Sequence, residues 1–124
     1  MAGETILIVE DSPTERALIQ TALQSSGFRL LTAADGDEAM AKIQTERPSL
    51  VLLDVVLPGQ NGFQLCRQLK TAAETKAIKV VMLTSKNQDS DRFWGLKQGA
   101  DDYVTKPFDA NSLLATLRRQ LAAA

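Results

Sequence analysis

Three stretches of four apolar residues run without a polar interruption: Ile6-Leu7-Ile8-Val9, Leu50-Val51-Leu52-Leu53 and Val80-Val81-Met82-Leu83. A strand with one face in water alternates apolar and polar residues, whereas a strand covered on both faces does not. These runs therefore predict the inner strands of a parallel sheet with helices on either side. Two shorter pairs, Leu30-Leu31 and Tyr103-Val104, predict edge strands. Between the runs, apolar residues recur at helical spacing. Residues 14–26 align Ala17, Leu18, Ala22 and Leu23, and residues 36–46 align Ala39, Met40 and Ile43. Residues 62–70 offer Phe63, Leu65, Cys66 and Leu69, and residues 109–121 offer Leu113, Leu114, Leu117 and Leu121. Ser12-Pro13 reads as an N-cap followed by proline at the first helical position. Gly27 and Gly99 read as helix ends, Asp109 as the start of the last helix, and Gly36, Gly59 and Gly62 as turn residues.

A strand–helix alternation repeated five times predicts an α/β fold of three layers. With the two weak strands at the edges, the expected order is 2-1-3-4-5, a flavodoxin-like (βα)5 sandwich. At 124 residues the chain is expected to be one domain, residues 1–124, since halves would be too small to bury a good core. Lys plus Arg number 14 and Asp plus Glu 15, for a net charge of −1, which argues against broad nucleic-acid or anionic-membrane binding. No apolar run reaches the roughly 18–20 residues of a membrane span, and no signal-peptide pattern opens the chain, so a cytoplasmic location is expected. The sequence has no His, which rules out a Ser-His-Asp triad, a His-ligated metal or a phosphohistidine of its own. Its single Cys, Cys66, rules out an internal disulfide.

Ligands of such sheets bind beyond the carboxyl ends of the strands, where the strand order reverses. Strand 1 runs into Glu10-Asp11, strand 3 into Asp54, strand 4 into Thr84-Ser85, and strand 5 is followed by Lys106-Pro107. All should emerge at one edge, with Asp11 and Asp54 close together. Carboxylates crowded there repel, and one pKa rises unless a cation sits among them. Magnesium suits such a place, because it takes oxygen ligands and is commonly held by one or two carboxylates plus a phosphate oxygen. Lys106 and Thr84 could then neutralise a phosphoryl group carried on Asp54.

These motifs resemble the receiver domain of two-component response regulators, the CheY-like family. The residues that carry the likeness are Glu10-Asp11, the run from Asp54 through Pro58 to Gly62, Thr84-Ser85, and Tyr103-Val104-Thr105-Lys106-Pro107-Phe108. The resemblance implies that Asp54 is the phosphoacceptor and Asp11 the direct magnesium ligand, with Glu10 acting through water. It implies that the Val56 carbonyl completes the coordination, that Lys106 pairs with the phosphoryl group, and that Thr84 hydrogen-bonds it. Tyr103 would be an aromatic switch that turns inward when Thr84 moves, and the Lys106-Pro107 bond would be cis. The implied partners are a sensor histidine kinase or phosphotransfer protein and a downstream protein bound by the face of the fourth helix, fifth strand and fifth helix. A narrower likeness, in Asp11-Ser12-Pro13-Thr14-Glu15, Asn61-Gly62-Phe63-Gln64 and Trp94 to Ala100, is to stand-alone PilH-type regulators of type IV pilus chemosensory systems, which act in twitching or phototactic motility.

Two positions depart from the family's common pattern. Val56 is apolar and Lys86 cationic where the residues influence water attack on the phosphoryl group, so slow self-dephosphorylation is expected. Cys66, on the stripe of Phe63 and Leu69, is expected in the core. Trp94 is open between packing and exposure, and Arg118-Arg119 reads as a solvated helix face. Gly95 weakens the fourth helix. Among rival functions, a flavin module would need a phosphate loop where Glu10-Asp11 stands, and an aspartate-based phosphatase would need an Asp at Val56. A phosphorylation-independent interaction module or a phosphate sink remains as the alternative reading.

Overall fold

The computed structural model describes residues 3–123. Ten elements alternate: β1 Thr5–Val9, α1 Pro13–Leu23, β2 Arg29–Ala33, α2 Gly36–Glu46, β3 Leu50–Leu53, α3 Gly62–Thr71, β4 Lys79–Thr84, α4 Asp89–Lys97, β5 Asp102–Thr105 and α5 Ala110–Ala122. The five strands form one parallel sheet in the order β2-β1-β3-β4-β5, as the two weak runs at its edges require.

The uninterrupted runs are explained by two cores. Leu7, Val9, Val51, Leu53, Val80 and Met82 point to one face and pack with Ala39 and Ile43 of α2 and Leu65, Cys66 and Leu69 of α3. Their neighbours Ile6, Ile8, Leu50, Leu52, Val81 and Leu83 point to the other, against Ile19 and Leu23 of α1 and Leu113 and Leu117 of α5. Burying each such side chain contributes about 1.5–3 kcal/mol, so both faces are driven to close. Cys66 is fully buried here, and burial pushes its thiol up to about 12.

Helix starts match their signals. Ser12 Oγ accepts from Glu15 N ahead of Pro13, and Asp109 Oδ2 accepts from Ser112 N. Two readings are corrected. Helix α1 ends at Leu23 rather than 26, where the Ser26 N–H and hydroxyl both take the Leu23 carbonyl. Gly36 and Gly62 open α2 and α3 instead of sitting in turns, while Gly59 does turn, at φ 76°. Gly62 is required by a close approach: a Cβ there would lie 2.1 Å from the Asp54 carbonyl oxygen.

Register then positions the edge. Val9 pairs with Leu53, and Thr84 with Thr105, so the next residues of four strands leave the sheet side by side. The ladder extends one step further, with Asp54 N donating to Val9 O (3.2 Å) and Lys106 N to Thr84 O (2.8 Å).

Candidate functional site

At that edge Lys106 is the centre. Its Nζ donates to Glu10 Oε1 (2.6 Å) and Asp54 Oδ2 (2.8 Å), and also to Glu15. The Lys106-Pro107 bond is cis. Asp54 Oδ1 accepts from Val56 N (3.0 Å), and Glu10 Oε2 from Ser12 N (3.1 Å). Thr84 is completely buried and its Oγ1 accepts from Lys86 N (3.3 Å). Arg16 ties down the loop by donating to the backbone oxygens of Glu10 (2.8 Å) and Asp11 (3.3 Å).

The two acids are pushed apart. Burial raises Glu10 to about 7, and the neighbouring Asp54 adds to the rise against the pull of Lys106 and the Ser12 N–H. Burial opposes ionisation of Asp54 too. The Lys106 ammonium, the Val56 N–H, the Thr84 hydroxyl and Glu10 together outweigh it and hold that carboxyl below its usual range. Burial likewise works against the charge on Lys106, and its carboxylates win, so its pKa is raised. The arrangement keeps an ionised carboxylate nearly out of water beside a permanent ammonium, which is the electrostatic character of a poised oxygen nucleophile.

The structure thus brings Glu10, Asp54, Thr84 and Lys106 together. Asp11 stays on the surface. Among the described residues, no three acidic side chains converge closely enough, as they stand, to hold a metal ion. Instead Lys106 bridges Glu10 and Asp54, since a buried carboxylate without a positive partner is costly. The donor set nevertheless suits a hard divalent cation. It is all oxygen, and two carboxylates nearly out of water, Glu10 and Asp54, share the one ammonium of Lys106.

Val56 is exposed, and it lines an open cleft of about 340 Å³ with Val55, Leu57, Asn61, Phe63, Lys86 and Asp91. The two departures, Val56 and Lys86, therefore share one opening next to Asp54. The Tyr103 ring lies inward, 3% exposed, with its hydroxyl donating to Lys86 O (2.7 Å) and the Arg92 guanidinium 5.3 Å from its centroid. Burial pushes its phenol up to about 12. Trp94 is exposed, which closes the question left open by the sequence.

Sequence reasoning passed over Glu15 as a partner of Lys106. A signal was present. Ser12-Pro13-Thr14-Glu15 has capping-box spacing, in which the Glu turns back to the N-cap N–H. Here Glu10 already takes that N–H, so the Glu15 carboxylate is left for Lys106.

Comparison with known proteins agrees with this geometry. Residues 6–118 match the response regulator receiver domain family. The chain is 48% identical over 117 residues to protein PilH of Pseudomonas aeruginosa, covering 94% of this chain and 97% of that one. It is 43% identical to the phosphate regulon transcriptional regulatory protein PhoB of the same organism, covering 98% of this chain and 53% of that one. The chain thus spans about half the length of that transcriptional regulator. The solved chemotaxis protein CheY4 of Vibrio cholerae superposes with a TM-score of 0.88 at 34% identity, covering 96% of this chain and 99% of that one. No described helix is long and apolar enough to cross a membrane.

Proposed function

The chain belongs to the response regulator receiver domain family, and from that premise we propose that it accepts a phosphoryl group on Asp54 and thereby switches a protein–protein contact. Receiver domains are signalling domains rather than classical enzymes, and they generally use Mg2+ for phosphorylation. The observation that carries the reading is the Asp54 carboxylate, 8% exposed yet held ionised, 2.8 Å from Lys106 Nζ.

In the proposed step an Asp54 oxygen bonds to phosphorus as the phosphorus–nitrogen bond of a partner's phosphohistidine breaks. The imidazole leaves with the electron pair and takes up a proton. Lys106 swings onto a phosphoryl oxygen and the Thr84 hydroxyl donates to another, so charge is offset where it develops. Glu10, Asp11, Asp54 and the Val56 carbonyl would hold the magnesium ion. When bound, the ion would offset the negative charge of the transferring group.

The donor is a sensor histidine kinase or phosphotransfer protein, since this chain has no His. We read residues 1–124 as a single receiver domain acting in the cytoplasm. Its output is a protein that binds α4, β5 and α5, where Phe93, Trp94 and Leu96 are exposed. The near full-length likeness to PilH supports a role in pilus-dependent motility or taxis.

The test is incubation with acetyl phosphate and magnesium, read by intact mass. Wild type gains one phosphoryl group and Asp54→Asn gains none. Absence of any gain in wild type sinks the reading and leaves the phosphorylation-independent module.

A further inference from the structure

One ion pair in the pocket is not called for by phosphoryl transfer. Lys106 Nζ contacts three carboxylates, and an ammonium has three N–H donors, so every donor is already in use. A phosphoryl oxygen can reach Lys106 only by displacing one of them. The three are not equivalent. The side chains of Glu10 and Asp54 are 3% and 8% exposed, so either one, released from Lys106, has little water to turn to. The side chain of Glu15 is 45% exposed, so its release into water costs least. Its backbone is fixed independently, because Ser12 Oγ accepts from Glu15 N (3.2 Å) while Glu10 takes the cap N–H that Glu15 would otherwise reach. Glu15 and Lys106 also line an open cavity of about 670 Å³ between α1 and the loop after β5, walled by Leu18, Pro107 and Phe108.

We propose that Glu15 is a positioning residue that gates Lys106: its carboxylate holds the ammonium toward the solvent mouth, yields it to the incoming phosphoryl group, and disfavours donors of higher negative charge. The gate rests on Asp54 as the acceptor. Whatever the donor, the Asp54 oxygen bonds to phosphorus as the bond to the leaving group breaks. Acetyl phosphate releases acetate, and phosphoramidate releases ammonia from its already protonated nitrogen. Near neutral pH the first is a dianion and the second carries one net negative charge.

The experiment compares phosphorylation rates with these two donors, with magnesium, for the whole chain as wild type, Glu15→Gln and Glu15→Asp, followed by intact mass. Glu15→Gln is expected to accelerate both. It should raise the acetyl phosphate to phosphoramidate rate ratio about three- to fivefold, the scale of one unit charge acting on one more across about 4–6 Å of water. The rise should shrink as salt is added. Glu15→Asp, which keeps the charge, should keep the wild-type ratio. A merely structural Glu15 would change both donors by one factor, and an unchanged ratio in Glu15→Gln overturns the gate while leaving Asp54 phosphorylation standing. Failure of wild type to accept phosphate from either donor overturns Asp54 as the acceptor and the gate with it.

Discussion

The pocket around Lys106 and the helix α4, which packs against β5, are held in opposite ways. In the pocket, charged groups are buried and hydrogen-bonded: among the described residues, no buried side-chain nitrogen or oxygen lacks a partner. In α4 only Gly95 is buried, and Phe93, Trp94 and Leu96 turn outward, at 62%, 52% and 47% exposure. The helix is fastened by polar threads. Gln88 N donates to Asp91 Oδ2 (3.2 Å), and Arg92 donates to Tyr103 O (2.9 Å). A region with few buried contacts opens or shifts at low free-energy cost, whereas a buried network with every polar group hydrogen-bonded does not. The pocket is thus suited to sense an added charge, and α4 to move in response.

The hardest test of that contrast removes the central charge. Lys106→Met leaves Glu10 and Asp54 buried without their cation, and we expect a loss of about 2–4 kcal/mol, near the range for breaking a buried pair. The sign with pH follows from the shifts. In the variant both acids have folded pKa values above their unfolded ones, so stability is lost as pH rises from the unfolded value through the folded one. In wild type the raised Glu10, at about 7, works in that direction and the lowered Asp54 works against it. The gap between the proteins should therefore widen from pH 5 to 8 in urea titrations with a chelator present. A gap that is constant or closes would refute the view that the lysine is the pocket's structural counter-charge.

How far each region was legible follows from the same contrast. The strands and their order were readable because Ile6 to Val9, Leu50 to Leu53 and Val80 to Leu83 can be buried on both faces by only one architecture. Residues one step past those strands, Glu10, Asp54 and Lys106, were readable for the same reason, since register carries them to one edge. What lies at longer reach was not. The place of Glu15 on Lys106 depends on side-chain hydrogen bonds that compete for a single cap N–H, and spacing alone does not decide that competition. The exposure of Trp94 was equally undecided, because α4 has no clear apolar stripe to show which side faces the sheet.

Smaller effects sharpen the comparison from each side. Cys66, inside the core, should make the fold sensitive to alkali. Its folded thiol is raised to about 12, so the unfolded chain releases its proton first and stability falls as pH climbs from about 9 toward 12. The loss from this thiol should be about 1.4 kcal/mol at pH 10, seen as a slope that flattens in Cys66→Val. At α4, Gly95→Ala pits a gain in helix propensity of up to about 1 kcal/mol against a Cβ placed 2.8 Å from the Tyr103 ring. We expect the clash to win by no more than about 1 kcal/mol, because the ring sits on an edge strand and can swing out. Its phenol should then titrate below about 12, nearer to 10, in absorbance titrations. A ring that stays inward, with a large loss of stability, would place α4 among the rigid parts of the molecule.

The smallest effect on folding should carry the largest meaning for output. Trp94→Ala removes a side chain that is half in water, so the melting curve should move by less than about 0.5 kcal/mol. Phosphorylation of Asp54 by acetyl phosphate should be unchanged, since Trp94 touches none of the groups around Lys106. Capture of a downstream partner by the phosphorylated chain should fall tenfold or more if this aromatic is an anchor of the contact, as exposed tryptophans commonly are. Unaltered capture would move the output surface off α4. It would also leave the exposed Phe93-Trp94 pair, with the Lys97 ammonium 5.9 Å from the Phe93 ring, as an apolar patch that the pocket does not control.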